Sequence, residues 1–376
     1  MRIIQVVNVR WFNATAWYGL FLSRLLKDAG HEVLVLGLEG KESFKKAQEM
    51  GLNPVDMGIN SANPMHAAGA LARLDRLIRG FKPQVVNCHR GEGTVLWGLL
   101  KAAGRKFALV RTRGDQRSPK GNLPNKILHG RLADAVIATN SRTQHECITR
   151  LRLAPDMVYL VPGGVDTGIF RYSQEGRKEA RERFGFAETD TIIGLLGRFD
   201  KVKGQEELIR TVSTLRSGSE AWRQSIRLML AGFPTSTPQE EVEGWIRQYG
   251  MEPATVITGK YPDVAGLVSA MDVGVIASQG SEAIARAAFE IMSCGVPLAG
   301  TTVGVMPDLL PERALVEPKD EKRLAVLLER LVTDDTFREE LREEEGVRMR
   351  QFSEKVFLEQ TLRVYEDAMR RAGLRH

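Results

Sequence analysis

Ser278 to Thr302 reads S-Q-G-S-E-A-I-A-R-A-A-F-E-I-M-S-C-G-V-P-L-A-G-T-T. The apolar run V-G-V-I-A-S, which ends on Ser278, is short enough to be one buried strand, and P-L-A-G-T-T is a second. Between them the spacing predicts one helix. Ser281 reads as its N-cap, Ala285, Ala288, Phe289 and Met292 recur at helical intervals, and Gly295 followed by Pro297 stops it. The segment is therefore strand, loop, helix, strand, the repeating unit of a parallel sheet.

Two carboxylates lie in this unit, Glu282 and Glu290. Eight helical positions separate Cα atoms by roughly 12 Å at 1.5 Å per residue, too far for both to grip one phosphate. They must touch different parts of a ligand. Glu282 belongs to the loop at the strand's carboxyl end, beside the free N–H groups of the helix start, where an anion is welcome. Glu290 sits deeper, among Ala287, Phe289, Ile291 and Met292, and can accept hydrogen bonds from two vicinal hydroxyls such as those of a ribose. An isolated pair of acids is more often a solvated helix face, but the small and apolar neighbours argue against an outer position. Arg286, on the same helix, reads as a solvated arginine.

The chain has 376 residues, enough for two domains. No run of about 18 apolar residues is present to span a bilayer, and Met1 leads directly into I-I-Q-V-V-N-V, so a cytoplasmic protein is expected. Cys88, Cys147 and Cys294 lack metal-ligand or disulfide spacing and read as small buried hydrophobes; the six histidines are dispersed, and no protein-bound metal is expected. The net charge of +6 is uneven, with 24 Lys plus Arg against 13 Asp plus Glu in residues 1–170 and 29 against 34 in the rest. A basic first half suits nucleic acid, an anionic membrane surface or a phosphorylated acceptor, and an incidentally basic surface accounts for the count equally well.

Residues 1–170 alternate strands (Ile3 to Val9, Glu32 to Leu38, Val85 to His89, Ala108 to Arg113, Ala135 to Asn140, Val158 to Pro162) with helical patterns such as Leu71, Leu74, Ile78 and Phe81. This is the pattern of a doubly wound parallel sheet, whose ligands bind at the carboxyl ends of the strands. His89 ends one strand. After the next, R-T-R-G-D-Q-R-S-P-K groups Arg111, Arg113, Arg117 and Lys120, a cluster suited to an anionic acceptor. The loop after the first strand is aromatic, with Trp11, Phe12, Trp17, Tyr18 and Phe21; core packing under the cleft is the expected role, an acceptor platform or an interfacial anchor the sharper alternative. A second set of strands begins at T-I-I-G-L-L and continues at Ile226 to Gly232, Val256 to Gly259, Val273 to Ser278, Pro297 to Thr302 and Ala314 to Pro318. Its first strand runs into G-R-F-D-K-V-K-G, where Arg198 and Lys203 can neutralise a leaving diphosphate and Gly197 and Gly204 let the loop fold around them.

These stretches together resemble the retaining sugar-nucleotide-dependent glycosyltransferases of family 4. The signature is a glutamate, seven residues, a second glutamate and a Cys-Gly-x-Pro end, matched from Glu282 to Pro297. Val161 to Phe170, V-P-G-G-V-D-T-G-I-F, resembles the family's interdomain stretch, and Leu20 to Val33 its first helix and second strand. The resemblance covers essentially the whole chain. Two departures stand out: Asn13 to Ala16 replace the usual Gly-Gly pair, and Ala283 to Arg286 replace the usual glycines after the first glutamate.

The resemblance implies a GT-B fold: two Rossmann-like α/β domains of doubly wound parallel sheet facing a cleft whose closure excludes water. The expected division is an acceptor-side domain over 1–170, a linker over 171–188, a nucleotide-sugar domain over 189–352 and a returning helix over 353–376. It implies transfer of a hexose from a nucleoside-diphosphate sugar, with retention and without a metal, to a hydroxyl of an anionic envelope glycan or glycolipid such as a lipopolysaccharide core. The implied catalytic residues are Arg198, Lys203, Glu282 and His89. Donor contacts fall to Glu290 and Gly197, to the backbone of Lys260 and Tyr261, and to Ala283, Ile284 and Ala285; acceptor contacts fall to Arg111, Arg113 and Arg117. No cofactor is expected beyond the sugar nucleotide as co-substrate, and no nucleic acid as partner; the protein would work in the cytoplasm, with peripheral contact to the inner membrane leaflet. A sugar-nucleotide epimerase of related fold and a silent sugar-nucleotide-binding protein are the alternatives.

Overall fold

Short β-branched runs pair side by side in the computed structural model, which describes residues 1–59, 64–115, 117–280 and 282–374. The chain forms two units, Met1–Gly163 with Glu354–His376, and Gly164–Ser353. Among the described residues the first unit holds β1 (Arg2–Val6), β2 (Glu32–Gly37), β3 (Val55–Asp56), β4 (Val85–Cys88), β5 (Ala108–Arg113), β6 (Ala135–Ala138) and β7 (Val158–Leu160). They form a sheet of order β3-β2-β1-β4-β5-β6-β7, parallel throughout. Helices cover both faces, so the central strands are buried end to end and read as continuous apolar runs instead of alternating ones. Strand β3, two residues long, lies on the edge and left no pattern to read.

On one face Trp97 meets Phe107 edge-on, 5.5 Å between centroids, within a core that includes Leu74, Ile78, Val86 and Leu109. The last helix, Glu354–Arg371, belongs to this unit and buries Phe357, Thr361, Val364, Tyr365 and Ala368. Val356 and Leu362 on the same helix are only half-buried. Phe357 packs against Tyr18 at 4.8 Å.

The second unit holds β8 (Thr191–Leu196), β9 (Ile226–Ala231), β10 (Thr255–Ile257), β11 (Val273–Ile276), β12 (Leu298–Thr301) and β13 (Leu315–Val316), again parallel, in the order β10-β9-β8-β11-β12-β13. Both sheets are thus doubly wound. Among the described residues no helix is long and apolar enough to cross a membrane.

The boundaries differ from those expected. The first unit ends at Gly163 because Val165 bridges to Ser353, and the Phe170 carbonyl accepts from Ser293 Oγ at 2.5 Å, both within the second unit. Nor is 171–188 a linker. It contains the helix Gln174–Phe184, where Gly176 lies so close to Gly266 that an added Cβ would sit 2.6 Å from its Cα. Arg177 and Arg181 anchor the same helix on Asp272 at 2.7 and 3.1 Å.

Candidate functional site

In the second unit the chain leaves β8 for β9 and β10 on one side, then returns to β11 and continues to β12 and β13 on the other. Connections therefore diverge above the carboxyl ends of β8 and β11, which is where an open parallel sheet offers a crevice. Gly197, Arg198 and Lys203 follow β8, and Ser278 and Glu282 follow β11. Lys203 Nζ lies 2.6 Å from Glu282 Oε1, and Ser278 Oγ donates to the same oxygen. Glu282 is only 3% exposed. Arg198 pairs with Asp200 at 3.1 Å and keeps part of its guanidinium exposed.

The loops carrying these groups interlock through two glycines. Gly204 has φ +75°, and a Cβ there would fall 2.0 Å from the Ala277 carbonyl oxygen. Gly304 has φ +64°, and a Cβ would fall 2.0 Å from the carbonyl oxygen of Glu282, which accepts from Val305 N at 2.8 Å. Only glycine combines the left-handed backbone with that approach. The loops after β8, β11 and β12 thereby fix the height of Glu282.

The helix after β11 begins at Arg286, later than the spacing predicts. Ser281, expected to cap it, lies outside the described residues. The cap position falls instead on Ala285, in left-handed conformation (φ 49°, ψ 51°) and without a side-chain acceptor. Glu282 consequently stands in the loop before the helix, and the two acids do not share a helical register. The Gly295 stop is present in full, with Gly295 N donating to Met292 O at 3.0 Å and Val296 N to Ile291 O at 3.3 Å. Glu290 faces inward, 4% exposed; burial pushes its carboxyl up while Arg286, 2.6 Å away, pulls it down. Arg286 is therefore the partner of Glu290, correcting its reading as a solvated arginine.

Lys260 and Tyr261 follow β10, where Gly259 turns the chain at φ +67°. Lys260 Nζ lies 4.6 Å over the ring of Phe233, and Tyr261 packs between Phe184 and Arg183. The loop after β10 thus folds onto the one after β9. Phe233 and Ser278 support this site and gave no signal in the sequence; Ser278 becomes visible only through its hydrogen bond to Glu282.

In the first unit the corresponding switch lies between β1 and β4. His89, one residue past β4, is fully buried, with Nε2 2.8 Å from Gln5 Oε1. Burial and the charge of Arg111 push it down to about 3, so the imidazole is neutral. Gly19 lets the helix Ala14–Asp28 approach, since a Cβ there would lie 3.2 Å from the His89 ring and 2.8 Å from Val7. Where a Gly-Gly pair is usual, Asn13 caps this helix by accepting from Ala16 N at 3.1 Å. Packing accounts for most of the aromatic loop: Tyr18 donates to Val161 O at 3.0 Å, and Trp17 stacks on Phe21 at 5.2 Å. Trp11, at 65% exposure, points outward.

The arginine cluster is not one exposed patch. Arg111 is fully buried, bonded to Asp115 at 2.5 Å and to the carbonyls of Cys88 and Thr112. Arg113 is also buried and donates to the Arg117 carbonyl at 3.0 Å. Both lie within β5, so their guanidinium groups bond to Asp115 and to backbone carbonyls instead of facing solvent. Arg117 and Lys120 remain exposed. The expected four-cation surface is therefore half as large.

Two doubly wound parallel sheets in one chain, the second with cations and carboxylates at its switch point, have the GT-B fold. Family models name the domains: "Glycosyltransferase Family 4" matches residues 17–168 and "Glycosyl transferases group 1" residues 176–346, so the chain carries glycosyltransferase domains in both halves. The D-inositol 3-phosphate glycosyltransferase of Acidothermus cellulolyticus is 28% identical over 62% of this chain and 53% of its own length. That of Stackebrandtia nassauensis is 26% identical over 54% and 47%. The chain spans about half the length of the curated relatives it matches. Among solved structures, Anabaena HepE in complex with UDP superposes with a TM-score of 0.84 at 17% identity, covering 97% of this chain and 100% of that one. A glycosyltransferase from Rickettsia africae gives 0.86 at 17% identity, covering 98% of each chain.

Proposed function

We propose that this protein transfers a sugar from a nucleoside diphosphate to a hydroxyl of an anionic acceptor, with retention at the anomeric carbon. The observation that carries this reading is the grouping of Arg198, Lys203 and Glu282 above the carboxyl ends of β8 and β11. Charge develops on the β-phosphate as the bond from the anomeric carbon to its oxygen breaks, and two preorganised cations stabilise that charge without a metal. Glu290 accepts from the two ribose hydroxyls, the backbone at Lys260 and Tyr261 meets the base, and Gly197 leaves room for the phosphates. Glu282 accepts from a sugar hydroxyl, and backbone N–H groups of Ala283 to Ala285 donate to the donor. In the first unit His89 offers a neutral nitrogen to a sugar hydroxyl.

No carboxylate is assigned as a nucleophile. The acceptor oxygen therefore bonds to the anomeric carbon on the face the diphosphate leaves, and its proton passes to the departing phosphate oxygen. The acceptor's negative charge meets Arg117 and Lys120, whose loop Arg113 holds from below; Arg111 stays with Asp115. A phosphate supplies such charge whether carried by a soluble sugar alcohol, as the named relatives suggest, or by an envelope glycolipid such as a lipopolysaccharide core.

A panel of UDP-, GDP- and ADP-sugars offered with inositol phosphate in one arm and with envelope glycolipid vesicles in the other tests this by mass spectrometry. The proposal expects one acceptor to gain a single glycosyl unit. Release of nucleoside diphosphate without an extended acceptor would support an epimerase or hydrolase instead.

A further inference from the structure

Apart from the exposed Arg2 that opens β1, strands β1 and β4 are apolar except at one registered pair. Gln5 and Asn87 are Cα partners across the two strands and are fully buried, as is His89 two residues on, which alternation places on the same face as Asn87. Buried amides need partners, and the last helix supplies one. Gln5 Nε2 donates to the Tyr365 hydroxyl oxygen at 2.8 Å, and Asn87 Nδ2 donates to it at 2.9 Å. Thr112 Oγ1 donates to Asn87 Oδ1 at 2.8 Å. Gln5 Oε1 then faces His89 Nε2 at 2.8 Å.

With Gln5 Nε2 donating to Tyr365, the acceptor oxygen of Gln5 faces the imidazole, and a neutral histidine in that arrangement carries its one hydrogen on Nε2. His89 Nδ1 is left as an acceptor, buried and with no hydrogen-bond partner in the protein. An unmet acceptor in a buried position is costly unless a ligand completes it.

We propose that Tyr365 is a positioning residue for His89: acting through Gln5, it holds the imidazole in the Nε2–H form so that Nδ1 can accept a hydrogen bond from a sugar hydroxyl. The inference rests on the glycosyltransferase reading for the identity of the hydroxyl, and on this unit's own geometry for the tautomer. It places the final helix, 278 positions from Asn87 in sequence, in the control of a site residue.

The test is 15N NMR of the ligand-free full-length protein with labelled histidine, which reports the tautomer independently of any activity. In the wild type the His89 Nδ1 resonance is expected in the unprotonated range. Tyr365→Phe keeps the ring but frees the Gln5 amide to turn, and should give a mixture of tautomers. Gln5→Met should do the same, and the double variant should go no further than either single one. With the donor and acceptor identified as above, each variant should lower turnover about tenfold, in keeping with small displacements of a reacting group, while nucleoside diphosphate affinity stays unchanged. A protonated Nδ1 in the wild type, as the reversed Gln5 amide with Tyr365 donating would produce, overturns the proposal. So does a His89 tautomer that survives Tyr365→Phe, even if the variant melts earlier, because that is the mark of packing alone. If the protein transferred no sugar at all, the spectrum would still decide the tautomer, so the two readings fail separately.

Discussion

Lys203 and Glu282, 79 positions apart, meet at 2.6 Å across the loops that follow β8 and β11. The pair joins the residue proposed to meet the leaving phosphate to the residue proposed to hold the sugar. Glu282 is almost wholly buried and Lys203 mostly so, which means that removing either partner leaves the other charge with little water. Glu282→Gln, which keeps the shape and the Ser278 hydrogen bond, should lower turnover by about a hundredfold, the scale of one lost polar contact in a transition state. Nucleoside diphosphate affinity should hold or rise, because Lys203 is released toward the phosphate. Steady-state kinetics beside calorimetry checks this; unchanged turnover would remove Glu282 from the chemistry.

Glu290→Ala should weaken nucleotide binding by about tenfold, the equivalent of about 1.4 kcal/mol, and alter turnover less than Glu282→Gln does. Arg286, its partner at 2.6 Å, then faces an open position. Comparing a ribonucleotide with its 2′-deoxy analogue separates the two causes. Wild type should discriminate between them and the variant should not. Equal affinities in the wild type would contradict the ribose role.

Chelation provides a third test. With Arg198 and Lys203 both assigned to the diphosphate, transfer in excess EDTA should proceed at the untreated rate. Loss of activity restored by magnesium would transfer the work of charge neutralisation to a metal.

Away from the site, Glu345 on the helix Asp335–Met349 accepts the backbone N–H of Leu298 with both carboxylate oxygens, at 3.3 and 3.0 Å. Burial raises its pKa well above the usual 4.5, so the folded state keeps a proton that the unfolded chain gives up. The resulting stability is complete below that unfolded value and declines as pH rises toward and through the folded one. Glu345→Gln keeps an acceptor for Leu298 and has no charge to bury. It should melt above the wild type at pH 7.5 and together with it near pH 4. His89 and His129, pushed down to about 3 and about 4, act in the opposite sense, so the difference between the two proteins is the quantity to follow. A variant less stable at pH 7.5 would show that the ionised carboxylate is accommodated.

Much of this fold is legible in short apolar runs, because a strand covered on both faces leaves nothing polar to show. The inward turn of Glu290 was readable from Phe289, Ile291 and Met292, and the end of its helix from Gly295 and Pro297. Arg111 was not. A charged residue suggests solvent, and only the register that sets Arg111 beside Cys88, together with Asp115 four residues on, reveals how its charge is absorbed. The Arg286 and Glu290 pair had helical spacing that invited an ion pair, yet the helix start was misplaced by Ala285, which adopts a glycine-like backbone that its identity does not announce. The network of Gln5, Asn87, His89 and Tyr365 is invisible in sequence because it joins three segments far apart in the chain, β1, the end of β4 and the last helix.

The crevice between β8 and β11 is proposed to grip a nucleoside diphosphate through Arg198 and Lys203. Calorimetric titration of UDP, GDP and ADP, each against its nucleoside, into wild type, Arg198→Ala and Lys203→Met measures this most directly. One diphosphate should bind the wild type, its nucleoside should bind at least a hundredfold more weakly, and each variant should lose most of that difference. Absence of binding by all three diphosphates, or binding that ignores both substitutions, would contradict it.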